Sequence, residues 1–175
     1  MGITDYDVAP AGGFARAFPF ALAGVFATAL VVVLATSLDR PMVLMGALPA
    51  LLVAIGVALG FAWLVRHPRV QLRDAVLQVG RFPRLHAPVE TLDLAAARVV
   101  DLAAEPALQP VLRLMGTSLP GLNSGWFWLR DRSRAFLVVT DRGRVLVLPR
   151  RGGGPVLLSL VRPDALLEAL RSARV

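Results

Sequence analysis

The chain has 175 residues, of which 56% are hydrophobic, and a mean hydropathy of +0.64, which is too apolar for an average soluble domain. It contains no cysteine, and this excludes disulfides and thiolate metal sites. All of its 19 basic residues are arginine, a bias typical of GC-rich coding, so the net charge of +7 is poor support for nucleic-acid binding and we expect no nucleic-acid partner.

Two long segments near the N-terminus carry no charged side chain, residues 17–38 and 41–65. At ~1.5 Å per residue, each is long enough as a helix to cross a hydrocarbon core of ~30 Å. The sequence therefore predicts a transmembrane helix hairpin over 17–65, with Asp39-Arg40 as its turn and 1–16 as an N-terminal tail. A cleaved signal peptide is the alternative for the first segment, but its apolar run is too long and its preceding tail is acidic.

Arginine placement predicts the orientation of this hairpin. One arginine, Arg16, precedes the first segment, and five follow the second: Arg66, Arg69, Arg73, Arg81 and Arg84. Because basic residues accumulate on the cytoplasmic side, both termini are expected there. The prediction is an integral cytoplasmic-membrane protein with two spans, and with the lipid bilayer as its first partner.

The chain after residue 67 changes character. Residues 69–80 predict two short strands or one bulged strand, because apolar residues alternate on either side of Asp74-Ala75. Residues 89–102 are compatible with a helix or a strand. Residues 103–125 contain three prolines and predict mainly loop, with a short strand near 111–114.

Four closely spaced β-rich runs follow, at residues 125–130, 134–140, 144–149 and 155–161. Asp, Arg, Ser and Gly separate them, a composition typical of turns, so the runs predict an antiparallel meander. Pro163 then begins a predicted helix, since proline suits the first helical position. Its apolar face, formed by Leu166, Leu167 and Leu170, requires a sheet to cover.

The middle of this region resembles the central motif of a bacterial pleckstrin-homology (PH) domain family. The residues that carry the resemblance are Leu112, Arg113, Gly116, Thr117, Pro120, Gly121, Gly125, Trp126, Phe127 and Leu129. Residues 134–141 and 158–170 are similar to the family's next strand and closing helix. The resemblance covers roughly 68–173. It implies a cytoplasmic PH-like domain over 67–175, mostly antiparallel β barrel or sandwich, with a C-terminal capping helix and no catalytic residues.

The residues themselves also argue against enzyme chemistry. His67 and His86 are the only histidines, too few for a zinc site of three or four clustered ligands. The segment from Gly121 to Gly125 lacks the spacing of a nucleophile elbow. Asp131 and Asp141 lie in turns, where aspartate bonds its own backbone. We therefore predict no enzyme, no metal site and no cofactor.

Arginine and tryptophan form the candidate binding site. Trp126 and Trp128 share one face of a strand, for which core packing is the simpler interpretation and a ligand contact the sharper one. In a meander the first and third turns lie at one end, which would bring together Arg130, Arg132, Arg134, Arg150 and Arg151. These five are predicted to bind an anionic lipid headgroup or a partner; the alternative is a solvated, arginine-biased surface.

The predicted function is a non-enzymatic, membrane-anchored PH-like binding or scaffolding module at the cytoplasmic face. Its ligand would be a membrane or cytoplasmic protein, or an anionic lipid headgroup. The alternative is an accessory subunit of a larger membrane transport or cell-envelope complex. The oligomeric state stays open.

Overall fold

The computed structural model describes residues 4–10, 12–37, 41–66, 69–80 and 83–174. The chain forms two compact units. One is helical and comprises Gly13–Arg66, and the other is the β unit, which comprises Met1–Gly12 together with His67–Val175.

The helical unit consists of α1 (Gly13–Ser37) and α2 (Pro41–Arg66), which pack against each other. Its described side chains are mostly apolar and exposed. The hydroxyls of Thr28 and Thr36 donate to carbonyl oxygens one turn earlier, at 2.9 and 2.8 Å, so α1 satisfies them internally.

No helix that the structure describes has a stretch long and apolar enough to cross a membrane. This finding overturns the predicted transmembrane hairpin. The two-span cytoplasmic-membrane localisation is overturned with it. The lipid bilayer as a partner stays a prediction.

Several residues used in that prediction lie outside the part of the chain that the structure describes. These are the predicted turn at Asp39-Arg40, His67 and Arg81, and the side chains of Arg16 and Arg66.

The first sheet of the β unit has four antiparallel strands in chain order: β1 (Thr4–Tyr6), β2 (Val70–Arg73), β3 (Val76–Val79) and β4 (Leu85–Pro88). Asp74 and Ala75 form the turn between β2 and β3, both with positive φ, as the tight turn of a hairpin requires. Residues 69–80 are thus two strands. The segment interpreted as an N-terminal tail contributes β1.

The second sheet has six strands: β5 (Arg98–Val100), β6 (Pro110–Leu119), β7 (Leu122–Leu129), β8 (Arg134–Val139), β9 (Val145–Arg150) and β10 (Gly153–Leu158). Their order is β5-β9-β10-β8-β7-β6. β10 lies between β8 and β9, parallel to β8 and antiparallel to β9. The predicted meander is therefore wrong, because β9 follows β8 in the chain without pairing with it.

The physical reason lies in burial. Ala135 to Val139 of β8 and Val145 to Leu148 of β9 are buried at every position, as in strands covered on both faces. Turn residues between two strands indicate that the chain reverses direction there. They do not exclude a third strand from the space between the two.

The core forms on both faces of the six-stranded sheet. On one face, Phe136 and Leu158 pack against Leu77 of the first sheet and against Leu166 and Leu170 of α3 (Pro163–Ser172). The opposite face is a second cluster that includes Phe127, Leu137 and Val147, packed with Leu102 and Leu108. The two sheets thus form a sandwich, and α3 packs into the core between them.

Backbone bonds attach the N-terminal segment to this sandwich. The Val161 N–H donates to Asp7 O at 3.1 Å, and the Ala9 N–H to Ser159 O at 2.9 Å. The Thr140 hydroxyl donates to Ala9 O at 2.7 Å. Residues before α1 are therefore part of the β unit.

Two stretches differ from expectation. Residues 89–102, which were compatible with a helix or a strand, form a short 3-10 turn at Val89–Thr91 and then β5. Residues 103–125, predicted as mainly loop, contain the ten residues of β6 and the start of β7. Pro110 and Pro120 stand at the first position of β6 and just after its last, where proline does not interrupt a ladder.

Candidate functional site

The two faces of β7 differ in chemistry. Phe127 is 2% exposed and belongs to the core, while Trp126 and Trp128 are half-buried on the opposite face. Trp126 meets Phe136 of β8 edge to face, with ring centroids 5.2 Å apart at 82°. Trp126 is thereby fixed by packing, and both indoles keep part of their surface accessible.

One arginine stacks on each of these two tryptophans. The Arg134 Cζ lies 5.0 Å from the Trp128 ring centroid, and the Arg150 Cζ lies 5.9 Å from that of Trp126. A guanidinium over an indole face is attracted by the ring quadrupole, by ~0.5–1 kcal/mol at exposed sites. These stacks hold two cations in defined positions beside apolar surface. We call Trp126, Trp128, Arg134 and Arg150 the Trp–Arg face.

An open cavity of 540 Å³ adjoins Trp128. It lies where β6 begins and β7 ends, and it is lined by Val111, Leu112, Trp128, Leu129, Arg130 and Arg132. Apolar side chains and the Trp128 indole therefore share this cavity with two exposed arginines.

The turn after β7 is held by several hydrogen bonds. The Asp131 carboxylate accepts from the Ser133 N–H at 2.8 Å and from its hydroxyl at 2.7 Å. The Arg130 N–H donates to Gln109 O, and the Arg132 N–H to Leu129 O, both at 3.0 Å. Asp131 is therefore a turn former, as predicted, and the turn fixes the backbone from which both cavity arginines extend.

The structure brings four of the five predicted arginines to this region. Arg130 and Arg132 line the cavity, and Arg134 and Arg150 stack on the tryptophans. Arg151 is exposed, and its N–H donates to Thr91 O at 2.7 Å, which ties it to the segment after β4.

The turns before β8 and β10, which carry the predicted arginines, lie at the same end of the sheet, although the strands do not form the predicted meander. β10 runs parallel to β8, so the strand beginnings, and the turns before them, lie side by side. Gly154 lies so close to Arg134 that an added Cβ would collide with the Arg134 carbonyl oxygen.

Sequence reasoning missed the contribution of β6. Val111 is 65% exposed, Leu112 58% and Met115 52%, and all three lie on the strand next to the tryptophans. The register pairs Leu112 with Trp128 and Met115 with Trp126, which places these two side chains on the tryptophan side of the sheet. Residues 111–115, four apolar residues around Arg113 between Pro110 and Pro120, were the signal that could have revealed it.

Among the described residues, no three of His, Cys, Asp or Glu lie close enough to hold a metal ion. His86 is exposed on β4. Asp141 accepts from the Gly143 N–H at 2.9 Å, again as a turn former. A smaller cavity of 210 Å³ is lined by Arg69, Gln71, Gln78, Val79, Gly80 and Arg84.

Comparisons of the chain with protein-family models, with curated proteins and with solved structures found no match. The resemblance to PH domains therefore stays a prediction. The parallel pairing of β8 with β10 departs from the antiparallel meander that was predicted alongside it.

Proposed function

We propose that the β unit is a non-enzymatic binding module, of the kind that the PH resemblance implies, whose ligand is a protein segment with carboxylate and apolar side chains. The observation that carries the proposal is the composition of the 540 Å³ cavity, in which Val111, Leu112 and Trp128 lie beside Arg130 and Arg132. Binding sites are commonly apolar concavities with a few placed polar groups.

Tryptophan and arginine are the side chains most often found at the energetic centre of protein interfaces. In the Trp–Arg face, both types are positioned before any ligand arrives, by stacking of Arg134 on Trp128 and of Arg150 on Trp126. Positioned side chains lose less conformational entropy on binding.

A protein segment fits this surface better than a lipid headgroup does. A headgroup needs convergent cations alone, whereas four of the six residues that line this cavity are apolar or aromatic and lie on β6 and β7. A protein segment offers both classes of side chain.

The test uses the full chain and a fluorescent eight-residue peptide in which glutamate alternates with leucine. We expect anisotropy to show saturable binding. Arg130→Gln with Arg132→Asn should weaken it about tenfold, since charges at a binding site contribute on the order of 1 kcal/mol. Asparagine is chosen at 132 because φ there is 66°, a conformation it tolerates.

Two controls decide the result. Arg142→Gln with Arg174→Gln removes the same charge from exposed positions outside the cavity and should leave binding within twofold. The matching peptide with lysine in place of glutamate should not bind. If the chain binds vesicles through Arg130 and Arg132 but does not bind the peptide, the ligand of the site is an anionic headgroup. That result would contradict the proposal.

A further inference from the structure

β6 forms one edge of the six-stranded sheet. Among the described residues it pairs with β7 alone, and it is ten residues long. Its outer side therefore presents a row of backbone N–H and C=O groups that no strand of this sheet satisfies. Long edges of this kind are templates for pairing with another strand.

Apolar side chains outnumber charged ones on β6, where Arg113 is the one charged residue. Val111, Leu112, Leu114 and Met115 are all exposed, and they lie within five residues of one another. Protected edges usually carry charges or are very short. Exposed apolar residues clustered on an edge strand indicate a surface that a partner covers.

The two faces of β6 differ, and this difference defines the partner's pattern. Leu112 and Met115 lie on the tryptophan side, as their register shows. Arg113 is the partner of Phe127, so it lies on the opposite side, where it is exposed. A strand added next to β6 would thus meet apolar side chains on one face and a cation on the other.

Charge selects among possible occupants. Arg113 on β6 and Arg130 and Arg132 at its beginning are all exposed, and the whole chain has a net charge of +7. A second copy paired here would bring like charges together, whereas an acidic segment complements them.

The bulges of β6 favour the same occupant. Its register with β7 shifts between Pro110 and Leu112 and again between Arg113 and Met115. Bulges bend a strand and increase its twist, which hinders edge-to-edge pairing of folded domains. A short flexible peptide can follow such a twist.

We propose that β6 binds its ligand by strand addition, and that the ligand is an extended peptide in which carboxylate side chains alternate with apolar ones. Its apolar side chains contact Leu112 and Met115, its carboxylates face Arg113, and one carboxylate at its end reaches Arg130 and Arg132. This inference rests on the proposed function, since it names the mode by which that site takes a protein segment.

Backbone methylation of the peptide tests this mode directly. Two versions of the glutamate–leucine peptide carry N-methyl groups at odd or at even positions, which removes the N–H groups of one side at a time. In strand addition only one side faces β6. One version should therefore lose binding more than about tenfold, as expected when several interface hydrogen bonds are lost, while the other stays within about threefold.

The outcomes separate the two proposals. Equal effects of both methylated versions, whether large or small, would overturn strand addition and leave the binding function intact. Failure of the unmethylated peptide to bind would overturn both.

A charge reversal tests the assignment of the second face. Arg113→Glu should weaken the glutamate–leucine peptide at least tenfold and create binding of the lysine–leucine peptide, with Arg142→Glu as the control that changes neither. If the chain instead dimerises in sedimentation experiments and the dimer excludes peptide, the edge belongs to a second copy and the proposal is overturned.

Discussion

Gly116 and Gly125 face each other across β6 and β7, with φ of +125° and +126°. A side chain is rarely tolerated at such angles, and a Cβ added to Gly125 would collide with the Met115 carbonyl oxygen. This close approach of two backbones shapes the hairpin that carries Trp126 and Met115.

Gly125→Ala should therefore destabilise the β unit by about 2–4 kcal/mol, because it adds backbone strain to a steric clash. Urea unfolding followed by tryptophan fluorescence measures the loss. Gly143→Ala is the matched control, since a Cβ there would have only Asp141 Oδ1 near it, at an ordinary 3.5 Å. Equal stability of both variants would show that the hairpin relaxes without cost.

Tyr6 gives a prediction for pH. Burial raises the pKa of its phenol above the ordinary value of 10.0. As the pH rises through 10, the unfolded chain releases this proton before the folded chain does, so the free energy of unfolding falls. Tyr6→Phe should remove that part of the fall.

Tyr6 is the only tyrosine of the chain, so tyrosinate absorbance reports this group alone. The titration midpoint should be higher in the folded protein than in denaturant. A folded midpoint equal to or below the denatured one would contradict the burial of the phenol.

For single residues, the sequence predicted which side chains belong to the candidate site better than it predicted where they lie in space. Arg130, Arg132, Arg134 and Arg150 were recognisable as candidates from their turns. Which arginine stacks on which tryptophan was not, because stacking depends on which strands lie together. Arg134 pairs with Trp128 across the β7–β8 hairpin, whereas Arg150 reaches Trp126 from β9, a strand that is not next to β7.

Secondary-structure elements show the same contrast between local and distant signals. The apolar runs that became β8 and β9 and the helix α3 were predictable, since each has a pattern of its own. β6 was not, because three prolines between 103 and 125 suggested loop. Two of these prolines stand at the ends of the strand and do not interrupt it. This cannot be recognised without knowing which strands pair with each other.

Packing of α3 leads to a prediction at this scale. Leu166 is fully buried, whereas Leu167 next to it is half-buried. Leu166→Ala should cost about 2–5 kcal/mol because it leaves a cavity in the core. Leu167→Ala should cost no more than about 1 kcal/mol.

Thermal or urea unfolding of the two leucine variants provides the measurement. Similar losses at both positions would mean that α3 is not fixed against the sheets by the face that the structure shows.

For the whole molecule, the charge-free segments 17–38 and 41–65 coincide with α1 and α2, but the prediction that these helices cross a membrane is wrong, because no described helix is long and apolar enough. The order of the strands in the six-stranded sheet could not be predicted from the sequence either. The patterns of β8, β9 and β10 specify strands, but pairing is decided by three-dimensional burial rather than by neighbours in the chain.

Ser159 joins parts of the β unit that are far apart in sequence. It is fully buried; its hydroxyl donates to Asp141 O at 2.6 Å and accepts from the Asp141 N–H at 3.3 Å. Its own carbonyl accepts from the Ala9 N–H. Ser159→Ala should cost about 1–3 kcal/mol, since it removes the buried hydroxyl that bonds both the N–H and the C=O of Asp141.

Ser172→Ala is the control for this prediction. The Ser172 hydroxyl also donates to a backbone oxygen, that of Glu168 at 3.0 Å, but the residue is exposed. Its loss should change the free energy of unfolding by less than about 0.5 kcal/mol. A cost as small at Ser159 would show that its hydroxyl contributes little to holding the backbone at Asp141.

The position of β10 has a consequence during synthesis. Translation proceeds from the N-terminus, so β8 and β9 leave the ribosome before the strand that belongs between them. Until residues 153–158 emerge, both nascent strands have an unfilled apolar gap between them, and exposed strands of this kind invite mispairing. The larger sheet therefore cannot be completed until β10 has been made.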